Sequence, residues 1–464
     1  MAYDKVVDSA RLDKALTATA DSIRAKTGES TAIPFDADRG FADAVAAIRA
    51  GGGSARRGEV NFYDYDGSIV FSCSVAEARS MTALPETPAH DGLVFQRWNT
   101  TLDAVNALTR ARDFGATYTT DDGKTRIHIH LEEGRTEPML GVCPNGTVTV
   151  DWGDGTDAEV LTGTSVSTEK WTSNHAYAAP GDYMITLTVE GSMGLLGQNS
   201  TNTGSGILRY SGVSDNRNKA YQNAVRKVFI GDGVTSINGS AFNGCSSLNT
   251  LTIPDSVTNI GAYAFFKCFD LNTLTIPDGV TIISAYAFSS CSSLNTLAIP
   301  DSVTRINGSA FNGCSCLNTL TIPDSVTIIN NSAFGNCTNL NTLTIPDGVT
   351  SINNGVFGNC YSLNSLTIPD GVTIIDGSAF NNCYILNNLT IPDSVTSIGS
   401  KAFSKCHGVR FYDFTAHTSI PTLSAADVFE EIAADCEIRV PAALYDEWIA
   451  ATNWITYADY IVAI

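Results

Sequence analysis

Residues 297–319 read LAIPDSVTRINGSAFNGCSCLNT, and this 23-residue unit recurs eight times from Lys227 to about Arg410. Proline stands at Pro254, Pro277, Pro300, Pro323, Pro346, Pro369 and Pro392. Phenylalanine stands at Phe242, Phe265, Phe288, Phe311, Phe334, Phe357, Phe380 and Phe403, and each is followed three residues later by cysteine, from Cys245 to Cys406. The phase never slips. A fixed period in this range means a solenoid, in which each unit buries its apolar side only by stacking on its neighbours.

The alternation in Thr250-Leu251-Thr252-Ile253 predicts a strand with Leu251 and Ile253 inward and the threonines outward. Pro254-Asp255 turns the chain, Val257 to Ile260 forms a second extended piece, and Ala241, Phe242, Cys245 and Leu248 fill the far side. Coils spaced like strands, at about 4.8 Å, make eight units a rod of about 40 Å.

Two outward features are candidate ligand-binding positions. One is a threonine ladder, Thr252, Thr275, Thr321, Thr344, Thr367 and Thr390, with Ala298 replacing one member, beside a second row at Thr250, Thr273, Thr296, Thr319, Thr342 and Ser365. β-propensity accounts for threonine on a strand surface; a flat hydroxyl array also suits a glycan or another polar surface. The other feature is the position after each ladder cysteine, which carries Phe269, Tyr361 and Tyr384. Exposed aromatics on a repeat scaffold are natural contact residues.

The totals exclude several functions. A net charge of −20 disfavours nucleic acid and anionic membrane, and no apolar run is long enough to span a bilayer. The start MAYDKVVDSARLDK lacks the pattern of a signal peptide, and the end TYADYIVAI shows no anchoring signal. Eight of the 12 cysteines belong to the repeat and read as reduced, buried hydrophobes. There is no CxxC or Cys/His cluster, so no metal or other cofactor is expected. His128 and His130 share a strand face without a third ligand. Asp151 and Asp154 read as turn residues, with calcium as the alternative. No nucleophile, zinc or phosphate-loop motif is present, so no catalytic residue is named and the chain reads as non-enzymatic.

The organisation is multidomain and mostly β. Residues 1–53 read as short attachment helices with a Gly-rich linker, 58–122 as a small α+β module, and 124–205 as a β-sandwich with connector. Residues 206–410 read as the solenoid with its N-cap, and 411–464 as a C-terminal cap whose helix AALYDEWIAA offers Leu444, Trp448 and Ile449 to the last coil. The segment 206–464 is expected to fold alone, with both ends of the stack covered.

Four resemblances refine this outline. VNFYDYDG, LPETP and GLVFQRW resemble the grasp-like Listeria–Bacteroides repeats of Gram-positive surface proteins. VDWGDGT (Val150 to Thr156) followed by HAYAAPGDYMITLTV (His175 to Val189) resembles a PKD domain, which implies an immunoglobulin-like spacer. The 23-residue unit resembles the BspA-type leucine-rich repeat over all eight copies. Finally, Leu12 to Ile48 and Cys436 to Val462 resemble segments of tail and baseplate proteins from phages of Gram-positive hosts.

That last resemblance implies a phage tail protein in the virion, assembled in the host cytoplasm. It would bind a bacterial surface receptor or glycan through the solenoid, meet other tail proteins through residues 1–50, and form a homo-oligomer such as a trimer. The alternatives are a bacterial cell-surface adhesin of the BspA type, binding host or matrix proteins, and a polysaccharide-degrading tail enzyme. The last needs an acid/base pair that the sequence does not single out.

Overall fold

The computed structural model describes residues 59–109, 111–167, 169–196, 207–209, 221 and 223–464. The expected helices of residues 1–53, and much of the expected connector, lie outside the described residues.

The described chain is mostly β, with a solenoid of about 10 turns and few helices. It opens with a four-stranded sheet in the order β2-β1-β4-β3: β1 (Val60–Tyr63), β2 (Ile69–Cys73), β3 (Leu93–Trp98) and β4 (Arg112–Thr120). Its own core holds Val60, Phe62, Trp98, Val105 and Phe114. After β2 comes the short helix α1 (Val75–Ala78), closed at its start by a Ser74–Glu77 capping box. Pro85 follows soon after, and its carbonyl is held by Trp98 Nε1 at 2.9 Å. A second short helix, α2 (Leu102–Asn106), is capped by Thr101.

Next come β5 (Thr125–Leu131), β6 (Met139–Asp151), β7 (Glu159–Thr164), β8 (Lys170–Trp171), β9 (Gly181–Leu195) and β10 (Leu208–Arg209). β6 and β9 are long and antiparallel, and Gly146 lies opposite Gly191 in their register. Both glycines have positive φ, 120° and 102°. A β-carbon on either would run into a backbone carbonyl of the other strand. These glycines divide the paired strands into two arms. One arm carries β7 and β5, and the other carries β8 and β10.

Each arm feeds one face of the solenoid. β11 (Val225–Phe229) pairs antiparallel with β5 and parallel with β13 (Thr250–Thr252). β12 (Val234–Ile237) pairs with the end of β9 and with β14 (Asn259–Ile260). Strands β5 and β9 therefore continue hydrogen bond by hydrogen bond into the repeats. A segment beginning at residue 206 strips Ile129 and Ile127 from Val225 and Val228 and bares that edge. The expectation that both ends of the stack in 206–464 are covered is corrected on this ground.

Within the repeats the register is strictly i to i+23, as in Thr273↔Thr296 and Thr342↔Ser365. Val257 N donates to Pro254 O at 3.0 Å, closing the turn after the strand, and the following coils repeat it. The phenylalanines stack face to face along the axis. Phe311 is fully buried between Phe288 and Phe334, with centroids 5.4 Å away on each side. Each cysteine from Cys268 to Cys406 donates its Sγ–H to the carbonyl of the phenylalanine one coil back, at 3.2–3.5 Å. Burial pushes these thiols up, to about 12 for Cys291, Cys337 and Cys406.

The solenoid does not stop where the period does. Phe411–Asp413, Glu437–Val440 and Ile461–Ala463 extend the same parallel sheet. Phe429 stacks on Phe403 at 5.7 Å. α3 (Tyr445–Ala450) contributes Trp448, fully buried beside Phe414 and Trp454, while Leu444 and Ile449 pack at the edge of this cluster.

Two outcomes follow from the interior ladders. Phe311→Ala should cost about 3–5 kcal/mol in denaturant unfolding, whereas Thr321→Ala should stay within about 0.5 kcal/mol. Equal shifts for the two would overturn the inward and outward assignment. Thiol titration of the native protein should label Cys316, the one exposed cysteine of the 12, quickly, and the ladder cysteines only after denaturation.

Candidate functional site

The outward strand face of the solenoid is the candidate site, and it is used unevenly. The α+β module lies on its first coils. Gly115 in β4 sits so close to Thr275 that a β-carbon there would collide with Thr275 Oγ1 and Cγ2. Gly67, with φ +85°, stands the same way over Thr273. Thr252 is 3% exposed and Thr275 is half-buried. Ala298, 1% exposed, lies in this interface, and Asn99 Nδ2 donates to its carbonyl at 3.3 Å. The one break in the threonine ladder thus falls beneath the docked module.

Charge fixes the docking. Arg97 Nε meets Asp255 Oδ2 at 2.6 Å, and its Nη1 lies 3.6 Å from Asp278 Oδ2 on the next coil. Arg112, largely buried, meets Asp301 Oδ1 at 2.6 Å. Gln96 Oε1 accepts from Asp255 N at 2.9 Å, while its Nε2 donates to Asp232 at 3.2 Å. Burial pushes the Asp278 carboxyl up, opposed by the Arg97 guanidinium and reinforced by the charges of Asp255 and Asp301.

Of the expected ladder, Thr252 and Thr275 are therefore covered by the chain itself, and Thr321 is half-buried. Thr344, Thr367 and Thr390 are exposed, as are Thr342 and Ser365 beside them. The aromatic positions divide similarly. Tyr361 and Tyr384, 40% and 41% exposed, stack at 5.1 Å and 6°, and His407 meets Tyr384 edge-on. Phe269, also exposed, stands four coils away from Tyr361, between Ser246 and Ser292 in its row. The sequence reading missed Gln96, Arg97, Asn99 and Arg112; the only trace of their role in the repeat was the lone Ala298.

The other candidate residues are spent on structure. Asp151 Oδ1 accepts from Gly153 N at 2.9 Å, and Asp154 Oδ1 accepts from Thr156 N and Oγ1. Asp154 Oδ2 holds His175 Nε2 at 2.8 Å, and the His175 ring stacks on Trp152 at 4.5 Å. Tyr177 donates its hydroxyl to Trp152 O. His128 packs edge-on against Phe229, and burial lowers its pKa. His130 pairs with Asp182 at 2.8 Å. Among the described residues no group of three or more His, Cys, Asp or Glu side chains is placed to hold a metal, and no helix is long and apolar enough to cross a membrane.

Residues 217–341 and 327–426 match the BspA type leucine rich repeat region, in six copies. The repeats are BspA-type leucine-rich repeats. Three solved structures are similar to the chain. A leucine-rich repeat protein from Bacteroides ovatus is 32% identical over 47% of this chain and 53% of its own, with a TM-score of 0.40. The T. pallidum leucine-rich repeat protein is 28% identical over 32% of this chain and 68% of its own, with a TM-score of 0.30. A leucine-rich cell surface protein from Faecalibacterium prausnitzii is 25% identical over 52% of this chain and 91% of its own, with a TM-score of 0.29. The chain spans about half the length of the Bacteroides ovatus protein. No curated protein matches it.

The close approach of Gly115 to the BspA-type repeats gives a direct test of docking. Gly115→Ala should loosen the module, at a cost of about 1–3 kcal/mol, read as faster hydrogen exchange in β4. Adding Thr275→Ala should restore most of the protection by removing the colliding atoms. No rescue would show that Gly115 is held by its own sheet alone.

Proposed function

We propose that the chain is a non-enzymatic recognition protein of a bacterial cell surface, holding its partner on the solenoid. One observation carries this reading. A single strand face is occupied by a folded module over its first coils and exposes the same side chains, Thr344, Thr367 and Thr390, over its later ones. The exposed Tyr361–Tyr384 stack adds a rigid aromatic contact. The BspA-type repeats support an adhesin that binds host or matrix proteins. On this reading, the grasp-like module and a PKD-like sandwich act as spacers and as the N-terminal cover of the stack.

A second reading is a phage tail protein that binds a receptor or glycan of a Gram-positive host. It rests on the resemblance of Leu12–Ile48 and Cys436–Val462 to tail proteins. Residues 1–50 would then mount the chain on other tail proteins, in a trimer assembled in the host cytoplasm. Both readings place binding on the solenoid and differ in what is bound.

An array carrying animal matrix and cell-surface proteins beside Gram-positive cell-wall glycans separates them. Labelled full-length chain should bind proteins on the array. Tyr361→Ala/Tyr384→Ala should weaken that binding about tenfold without lowering the melting temperature. Binding to wall glycans alone selects the tail reading. Binding that is indifferent to solenoid substitutions overturns both.

A further inference from the structure

The turn after each Leu-x-Ile strand places one aspartate at the same corner of every coil, at Asp255, Asp278, Asp301, Asp324, Asp347, Asp370 and Asp393. Asp255, Asp278 and Asp301 hold the arginines of the α+β module. Asp393 Oδ1 accepts from Thr418 N at 2.9 Å. Asp347 and Asp370 are both exposed. They stand four coils beyond Asp255 and Asp278, and Thr344 and Thr367 precede them as Thr252 and Thr275 precede the docked pair. The pair Asp347–Asp370 therefore repeats, one-to-one in register, the seat that Arg97 occupies.

We propose that the strand face around Asp347 and Asp370 docks an arginine-bearing partner protein, with one guanidinium bridging the two carboxylates as Arg97 bridges Asp255 and Asp278. This deepens the reading of the solenoid as the binding end and rests on it. Three observations select this occupant. The face continues an interface already formed within the same chain. Arg97 presents Nε to one coil and Nη1 to the next, separate donors held in the fixed planar fork of one guanidinium, whereas an ammonium meets carboxylates as a point charge. The net charge of −20 favours a basic partner over an acidic one. A second copy of the chain does not supply the guanidinium from its own module, because its Arg97 and Arg112 are already engaged on Asp255, Asp278 and Asp301.

The experiment uses the full-length chain and two fluorescent probes, a hexa-arginine and a hexa-lysine peptide, read by anisotropy at fixed salt. The native chain should bind hexa-arginine about tenfold more tightly than hexa-lysine, and Asp347→Asn/Asp370→Asn should abolish that preference with a loss of about tenfold. Glu132→Gln/Glu133→Gln removes the same charge from an exposed turn. It should cost less than about twofold. Unchanged melting of both variants confirms that each is folded. Equal losses in the two variants, or no preference for arginine, overturn the proposal and leave only long-range attraction. The array repeated with Asp347→Asn/Asp370→Asn keeps the two ideas apart. Protein binding that persists while the peptide preference is absent removes the arginine seat and leaves the solenoid as the binding end. A peptide preference without any array partner does the reverse.

Discussion

Coil-to-coil stacking is the constraint on which the rest of the structure depends. A single coil satisfies little on its own. Its phenylalanine ring faces the rings before and after it, and its thiol donates to the carbonyl of the previous coil. Its third side is held by backbone bonds across coils, such as Phe242 N to Ala264 O and Phe265 N to Ala287 O, each at 2.7 Å. The 23-residue period is the sequence form of this geometry, because each ladder requires its residue type at one height in every coil.

Such a stack has two raw ends, and the chain closes them by different means. At the start, the strand pair hinged at Gly146 and Gly191 sends one arm to each solenoid face, so both rows of unpaired backbone groups meet partners at once. At the finish, the sheet runs on through aperiodic strands until an aromatic cluster of Phe414, Phe429, Trp448, Trp454 and Tyr457 covers the interior. Trp454 Nε1 and the Tyr457 hydroxyl reach backbone carbonyls at 2.7 Å, so neither ring brings an unsatisfied polar group into the core.

The solenoid interior was legible residue by residue, because Phe, Cys, Leu and Ile recur at a fixed phase and their burial follows from that phase. The limits of the solenoid were not. Between Phe403 and Phe429 the spacing stretches by three residues, so period counting stops at Arg410 while the stacking continues. The fusion of β5 and β9 with the repeats was hidden because Val225 reads equally well as the start of a cap or as a strand shared between both. The docked module was the least visible. Its contacts come from Gln96, Arg97, Asn99 and Arg112, which belong to no repeat and lie far from their partners in sequence. That is why Thr252 and Thr275, chosen for facing outward, proved to face another part of the same chain.

Ala298 has a consequence for coil number. Because every unit is 23 residues long, the gain or loss of a whole coil would leave the phase of the ladders undisturbed. Upstream of Ala298, such an event shifts the alanine and the paired aspartates away from Arg97, Asn99 and Arg112, and the module loses its berth. Downstream, between Ala298 and the aromatic end, it lengthens or shortens only the uncovered stretch. The two halves of one uniform-looking array are therefore under different rules: the docked module ties the number of coils before residue 298 to its own contacts and sets no number beyond it.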